Sequence, residues 1–218
     1  MALKDENGYH DFSARLIPTV NPEDIIGIRR PVLCRYADTI NGTEKAARFL
    51  ETVPHRYLEE NDLHMELIRR MTDFDRALTA VSEMLPFIDN WETCDIPCPK
   101  VFAAQAEALL PSIRRWLTSP LPFTRRYAVN LLMRLFLDDR FRPEYPSLVA
   151  GLTADDHYVA MGAAWYFAEA LTKQYEAVIG YLTDRKLTKT VHNLTIRKAC
   201  ESRRIPEATK TYLKTLRY

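Results

Sequence analysis

The chain has 218 residues, 47% hydrophobic and 27% charged, with a formal net charge of +1. That balance fits one compact domain or one short repeat array with a sizeable core, and it excludes an intrinsically disordered chain. No apolar run reaches the roughly 20 residues of a membrane-spanning helix, and the opening MALKDENGYHDF has no signal-peptide core, so a protein of the bacterial cytosol with no membrane contact is expected.

Only six glycines occur against thirteen prolines, and nothing alternates like a half-buried strand. Apolar residues instead recur at helical steps over 23–40, 43–52, 57–70, 74–88, 99–117, 123–137, 143–151, 158–171, 174–183, 187–203 and 206–217. Each stretch predicts a helix. In 123–137, Ala128, Leu132 and Phe136 line one face; in 158–171, Met161, Ala164, Trp165, Ala168 and Leu171 form a stripe. The prolines fall between these stretches, at Asn21-Pro22, Ser119-Pro120-Leu121-Pro122, Arg142-Pro143 and Ile205-Pro206, where proline starts or stops helices. The fold class expected is all-α. Helix pairs of roughly 35–45 residues predict a helical repeat solenoid spanning 1–218 as a single domain, with a non-repeating helical bundle as the alternative.

Charge is unevenly spread. Residues 184–218 hold ten Lys and Arg against three acids, so the tail carries +7 and everything before it −6. A solvated charged helix pair and a phosphate-contacting surface both fit such a run. The four cysteines, Cys34, Cys94, Cys98 and Cys200, read as reduced packing thiols. Cys94 and Cys98 have no second Cys/His pair at finger spacing, so no structural metal is expected.

Three stretches hold candidate chemistry. In Asp89-Asn90-Trp91-Glu92-Thr93-Cys94-Asp95, the four-residue step places Trp91 and Asp95 on one helix face. A core tryptophan with a capping aspartate would explain the same pattern. Thr124-Arg125-Arg126-Tyr127 opens a helix after the proline-rich joint. Gly162-Ala163-Ala164-Trp165 sets a second tryptophan among small residues, leaving space beside its ring.

Together these elements resemble the AlkD-type DNA alkylation repair family. The resemblance extends to Leu16-Ile17-Pro18, Ile26-Gly27-Ile28-Arg29-Arg30-Pro31, the stretch from Pro54-His55-Arg56 to His64, Phe136-Leu137-Asp138-Asp139, Tyr158-Val159 and the late His192-Asn193 to Ser202, in order along nearly the whole chain. It implies a HEAT-like repeat solenoid with a concave DNA-binding groove, lined by Trp91, Asp95, Arg126 and Trp165. The wording Asn-Trp-Glu-Thr-Cys-Asp implies a distinct subgroup.

The activity implied is that of a monofunctional DNA glycosylase, acting as a monomer on double-stranded DNA with no cofactor, no metal and no obligate protein partner. Alkylation at N3 or N7 puts positive charge on a purine and makes it a good leaving group, so charge grows on the sugar in the transition state. Asp95 would stabilise that charge or orient the attacking water. Trp91 and Trp165 would offer π faces to the cationic centre, and Arg126 would hold a phosphate. AlkD-type enzymes are understood to leave the lesion stacked, unlike base-flipping glycosylases. Arg125, Lys100, Arg140 and Arg142, with Lys189, Arg197 and Lys198 from the basic tail, are further candidate phosphate contacts. A non-catalytic helical-repeat module that binds DNA or protein is the alternative, and the near-neutral net charge favours it.

Overall fold

The computed structural model describes residues 8–218, and every regular element among them is helical. The chain falls into two compact units, one running to Glu107 and the other from Ala108 onward.

In the first unit, α1 (Tyr9–Leu16) is followed by a 3-10 turn at Pro22–Asp24 and an extended segment. Gly27 sits there at φ 89°, and a Cβ would come within 2.9 Å of the His10 Cβ, so only glycine fits. Then come α2 (Arg30–Ile40), α3 (Glu44–Leu50), α4 (Leu58–Arg69) and α5 (Phe74–Met84). Side chains set the starts: Thr43 caps α3, Asp73 accepts the Arg76 N–H at 2.8 Å to cap α5, and Glu60 accepts the Tyr57 N–H at 3.0 Å at the head of α4. A 3-10 turn at Leu85–Phe87 leads to α6 (Trp91–Cys94) and α7 (Lys100–Ala104). α4 is the centre of this unit, packed against α2, α3, α5 and α6.

The division between the units falls inside α8 (Ala106–Leu117). The second unit continues with α9 (Pro122–Leu135), α10 (Glu144–Ala150), α11 (His157–Lys173), α12 (Tyr175–Val178), α13 (Gly180–Thr183), α14 (Lys189–Glu201) and α15 (Glu207–Thr215). Its centre is α11, held between α9 and α14. Asp156 caps α11, accepting the Tyr158 and Val159 N–H groups at 2.8 and 3.2 Å. Ala163, Ala164, Ala168 and Ala170 let the neighbours approach closely, while Tyr166 and Phe167 are almost wholly buried. Each such aromatic or aliphatic side chain contributes about 1.5–3 kcal/mol on burial.

Helix boundaries depart from the sequence reading where backbone geometry intervenes. The stretch 23–40 is α-helical only from Arg30, because the segment through Gly27 is extended. The stretch 74–88 tightens into a 3-10 turn around Pro86, and 99–117 breaks at Gln105, at φ −124° and ψ 40°. Pro111 lies inside α8, an exception to the placement of prolines between helices.

Candidate functional site

The Trp91–Asp95 turn is built from its cap. Asn90 accepts the Thr93 N–H through Oδ1 at 2.9 Å and donates through Nδ2 to Thr93 Oγ1 at 3.0 Å. The Asp95 N–H donates to the Trp91 carbonyl at 2.9 Å, which closes the turn and sets the two residues one turn apart. Trp91 lies against Ile17, Val20, Ile25 and Leu58, and its Nε1–H donates to the Leu16 carbonyl at 3.0 Å. Both Trp91 and Asp95 remain half-exposed. The core-tryptophan reading thus describes one side of Trp91, and part of its surface stays open.

Beneath this turn, α4 buries several polar side chains. Glu59 accepts the backbone N–H groups of Ile26, Gly27 and Ile28 at 2.9, 2.7 and 3.1 Å, pinning the segment before α2. Asp62 accepts the Thr93 hydroxyl at 2.6 Å. Burial pushes the Asp62 carboxyl up to about 8; the nearby Glu92 adds to this, while the Thr93 bond and Arg30 oppose it. Glu92 is itself raised by burial, against the pull of Arg30. Glu66 shows the opposite balance. Burial alone would raise it, but bonds from Arg70, Arg30 and Arg69, at 2.6, 2.7 and 2.8 Å, hold it at about 2. His64 and His55 share a hydrogen bond of 2.8 Å, and burial lowers His64 to about 4, with His55 adding to the shift.

The second unit holds its candidates differently. Arg125 and Arg126 open α9 and are only 8% and 7% exposed. Arg125 donates to the Thr153 carbonyl at 2.7 Å and to Asp155 at 3.2 Å, so it braces the approach to α11. Arg126 donates from Nη1 to the Tyr158 carbonyl at 2.9 Å and runs along Gly162, where a Cβ would meet its Cγ at 3.3 Å. Three residues beyond Gly162, Trp165 is 38% exposed despite its size. Arg197 reaches Met161 from α14, its Nη2 at 3.8 Å from the sulfur. Hence Arg126 and Arg197 both meet α11 in the turn that precedes the exposed indole. Trp116, by contrast, is a core residue set edge-on to Tyr127, with ring centroids 6.0 Å apart.

The model of a family described as DNA alkylation repair enzyme matches residues 7–202, through both units. The chain belongs to that family. Comparison with curated proteins returns no match. The all-helical fold is the family's type. Membership supports a role in DNA alkylation repair and contact with DNA.

For this DNA alkylation repair family member, the remaining predicted contacts divide by their surroundings. Lys100 is exposed and lines a cleft of about 630 Å³ with Arg69, Arg70, Asn41 and Thr72, two arginines that sequence reading did not single out. Arg140 and Arg142 are exposed in the joint between α9 and α10. Lys189 lies over the Tyr218 ring, 5.8 Å from its centroid, and Lys198 pairs with Glu201 at 2.8 Å. Elsewhere in the basic tail Lys186 pairs with Asp184, Lys210 with Glu207 and Arg204 with Glu169. Several tail cations therefore sit in local ion pairs, which weakens the +7 as a phosphate attractor. None of the four cysteines forms a disulfide. Among the described residues, no group of His, Cys, Asp and Glu is arranged to hold a metal, and no helix is long and apolar enough to cross a membrane.

Proposed function

We propose that this protein is a monofunctional DNA glycosylase that hydrolyses the N-glycosidic bond of N3- or N7-alkylated purines in duplex DNA, leaving the lesion stacked. The observation that carries the proposal is the Trp91–Asp95 turn. A half-exposed carboxylate stands one turn from an indole whose N–H is already engaged by Leu16. The ring is held in place and its π face remains the group to offer. Asp95 stabilises the positive charge that develops on deoxyribose and orients the attacking water. Trp91 and Trp165 lie along the sugar-phosphate backbone and attract cationic character through their faces. Arg126, Arg197 and Lys100 counter phosphate charge. The substrate's own charge supplies the leaving-group activation, so the proposal includes no metal and no organic cofactor. It also takes the protein to work as a monomer in the bacterial cytosol.

Incubation with methylated duplex DNA, followed by chromatography of free bases, tests the proposal. Release of 7-methylguanine or 3-methyladenine by the wild type, and its loss in Asp95→Asn, is the expected outcome. A second reading, a non-catalytic module that binds DNA or protein, is favoured by the net charge of +1 and the ion-paired tail. Gel-shift titrations at two salt concentrations separate the two: absence of any salt-dependent DNA affinity favours a protein partner.

A further inference from the structure

The polar side chains that α4 buries are unequally provided for. Glu59 takes three backbone N–H groups, Glu66 three arginines, and His64 its partner His55. Asp62, 2% exposed, takes the Thr93 hydroxyl, while two other carboxylates, Glu59 and Glu92, stand close enough to act on it. That hydrogen bond lands on a special place. Thr93 is the third residue of the four-residue α6, and it is also bound by the Asn90 cap. A single turn has no cooperative stability of its own, so its position depends on what ties it down. Side-chain ties from α6 to the rest of this unit include Trp91 to the Leu16 carbonyl and Thr93 to Asp62.

We propose that Asp62 is a positioning residue, which through Thr93 holds the turn carrying Trp91 and Asp95 against α4. The tie has a built-in pH limit. Below about pH 8 the Asp62 carboxyl carries a proton and accepts the Thr93 hydroxyl without adding a negative charge. The groups acting on it are Glu92 on α6, Arg30 on α2 and Glu59 on α4, while Tyr9 on α1 feels it in turn. Above that pH the buried carboxylate repels Glu92, which rides on α6 itself, and the turn shifts with Trp91. Asp62 also costs stability at neutral pH. Its carboxyl ionises near 3.8 in the unfolded chain and near 8 in the folded one, so the folded state binds the extra proton and stability falls as pH rises across that window.

The consequence for base release rests on the glycosylase reading; the tie itself does not. The test therefore has two readouts. In ¹H–¹⁵N spectra of the free protein, the Trp91 indole peak, assigned by its loss in Trp91→Phe, is expected to move with a midpoint near pH 8. That movement should vanish in Asp62→Asn. It should shrink in Thr93→Val, which keeps the carboxyl and cuts the link. In single-turnover release of 7-methylguanine, the wild-type rate should decline above pH 8 and the Asp62→Asn profile should lack that limb. A Trp91 peak that titrates identically in all three proteins, or an alkaline limb kept by Asp62→Asn, overturns the inference. Should no variant release base while the Trp91 titration behaves as expected, the glycosylase reading fails and the positioning role stands.

Discussion

In the first unit the central helix, α4, buries Glu59, Asp62, His64 and Glu66, whereas the second unit's central helix, α11, buries Gly162, alanines, Tyr166 and Phe167. The Trp91 turn is accordingly set by directional hydrogen bonds, one of them to the titratable Asp62. Arg126 and Trp165 are set largely by volume, through a glycine that admits an arginine stem and small residues that let α9 and α14 close on α11, although Arg126 also donates to the Tyr158 carbonyl. Hydrogen-bonded scaffolds fix orientation and respond to pH, because a partner can gain or lose its proton. Close-packed apolar scaffolds respond to single methyl groups and ignore pH. One family fold thus positions its candidate residues by two mechanisms that mutation can separate.

The largest expected effect lies in the first unit. Glu66→Ala leaves Arg30, Arg69 and Arg70 around a lost carboxylate that has no exposed side-chain surface. Because the arginines keep some exposure and Arg70 keeps Asp38, the cost is about 3 kcal/mol, the low end for a broken buried pair, read by urea unfolding. The same residue sets an acid limit. Its folded value, about 2, lies below the ordinary 4.5, so its contribution is complete above pH 4.5 and is lost as pH falls towards 2.

Next is the histidine pair. His64 falls from 6.5 to about 4 in the folded chain. It therefore charges first in the unfolded state, and stability drops as pH falls from 6.5 to 4, by up to about 3 kcal/mol. His64→Leu should remove most of that slope, His55, also lowered by burial, keeping a share; thermal unfolding across the window measures it. A slope that survives undiminished would place the acid sensitivity elsewhere.

Gly162→Ala sharpens the contrast from the other side. The new methyl must displace the Arg126 stem by a few tenths of an ångström, while the helix gains about 1 kcal/mol of propensity. Stability should stay within about 1 kcal/mol of wild type with unchanged pH dependence, and base release should fall about tenfold. A pH-dependent stability change would break the distinction between the units. The smallest effect is expected at Lys100→Ala, where loss of one phosphate contact lowers the salt dependence of duplex binding by about one unit of slope. An unchanged slope would remove the Lys100 cleft from the DNA-contacting surface.

The sequence shows the elements that local chemistry dictates. The prolines before α9 and the apolar stripe of α11 give both helices, and the four-residue step gives the Trp91–Asp95 turn. What stayed hidden depends on residues distant in the chain. Arg125 reads as a surface cation until its partners Thr153 and Asp155, about 30 residues later, fold over it. Asp62 looks like one acid in a polar stretch, and only its burial and the Thr93 hydroxyl, 31 residues on, mark it out. Gly162 reads as space beside a tryptophan, and the structure fills that space with the stem of Arg126. The break at Gln105 has no proline or glycine to announce it.

Base release from methylated duplex DNA by wild type and Asp95→Asn, compared under single-turnover conditions at neutral pH, decides whether the Trp91–Asp95 turn is a catalytic centre. The expected result is free 7-methylguanine or 3-methyladenine with the abasic strand intact, at a rate at least about 100-fold above that of a folded Asp95→Asn. Equal, background-level release by the two proteins would contradict it.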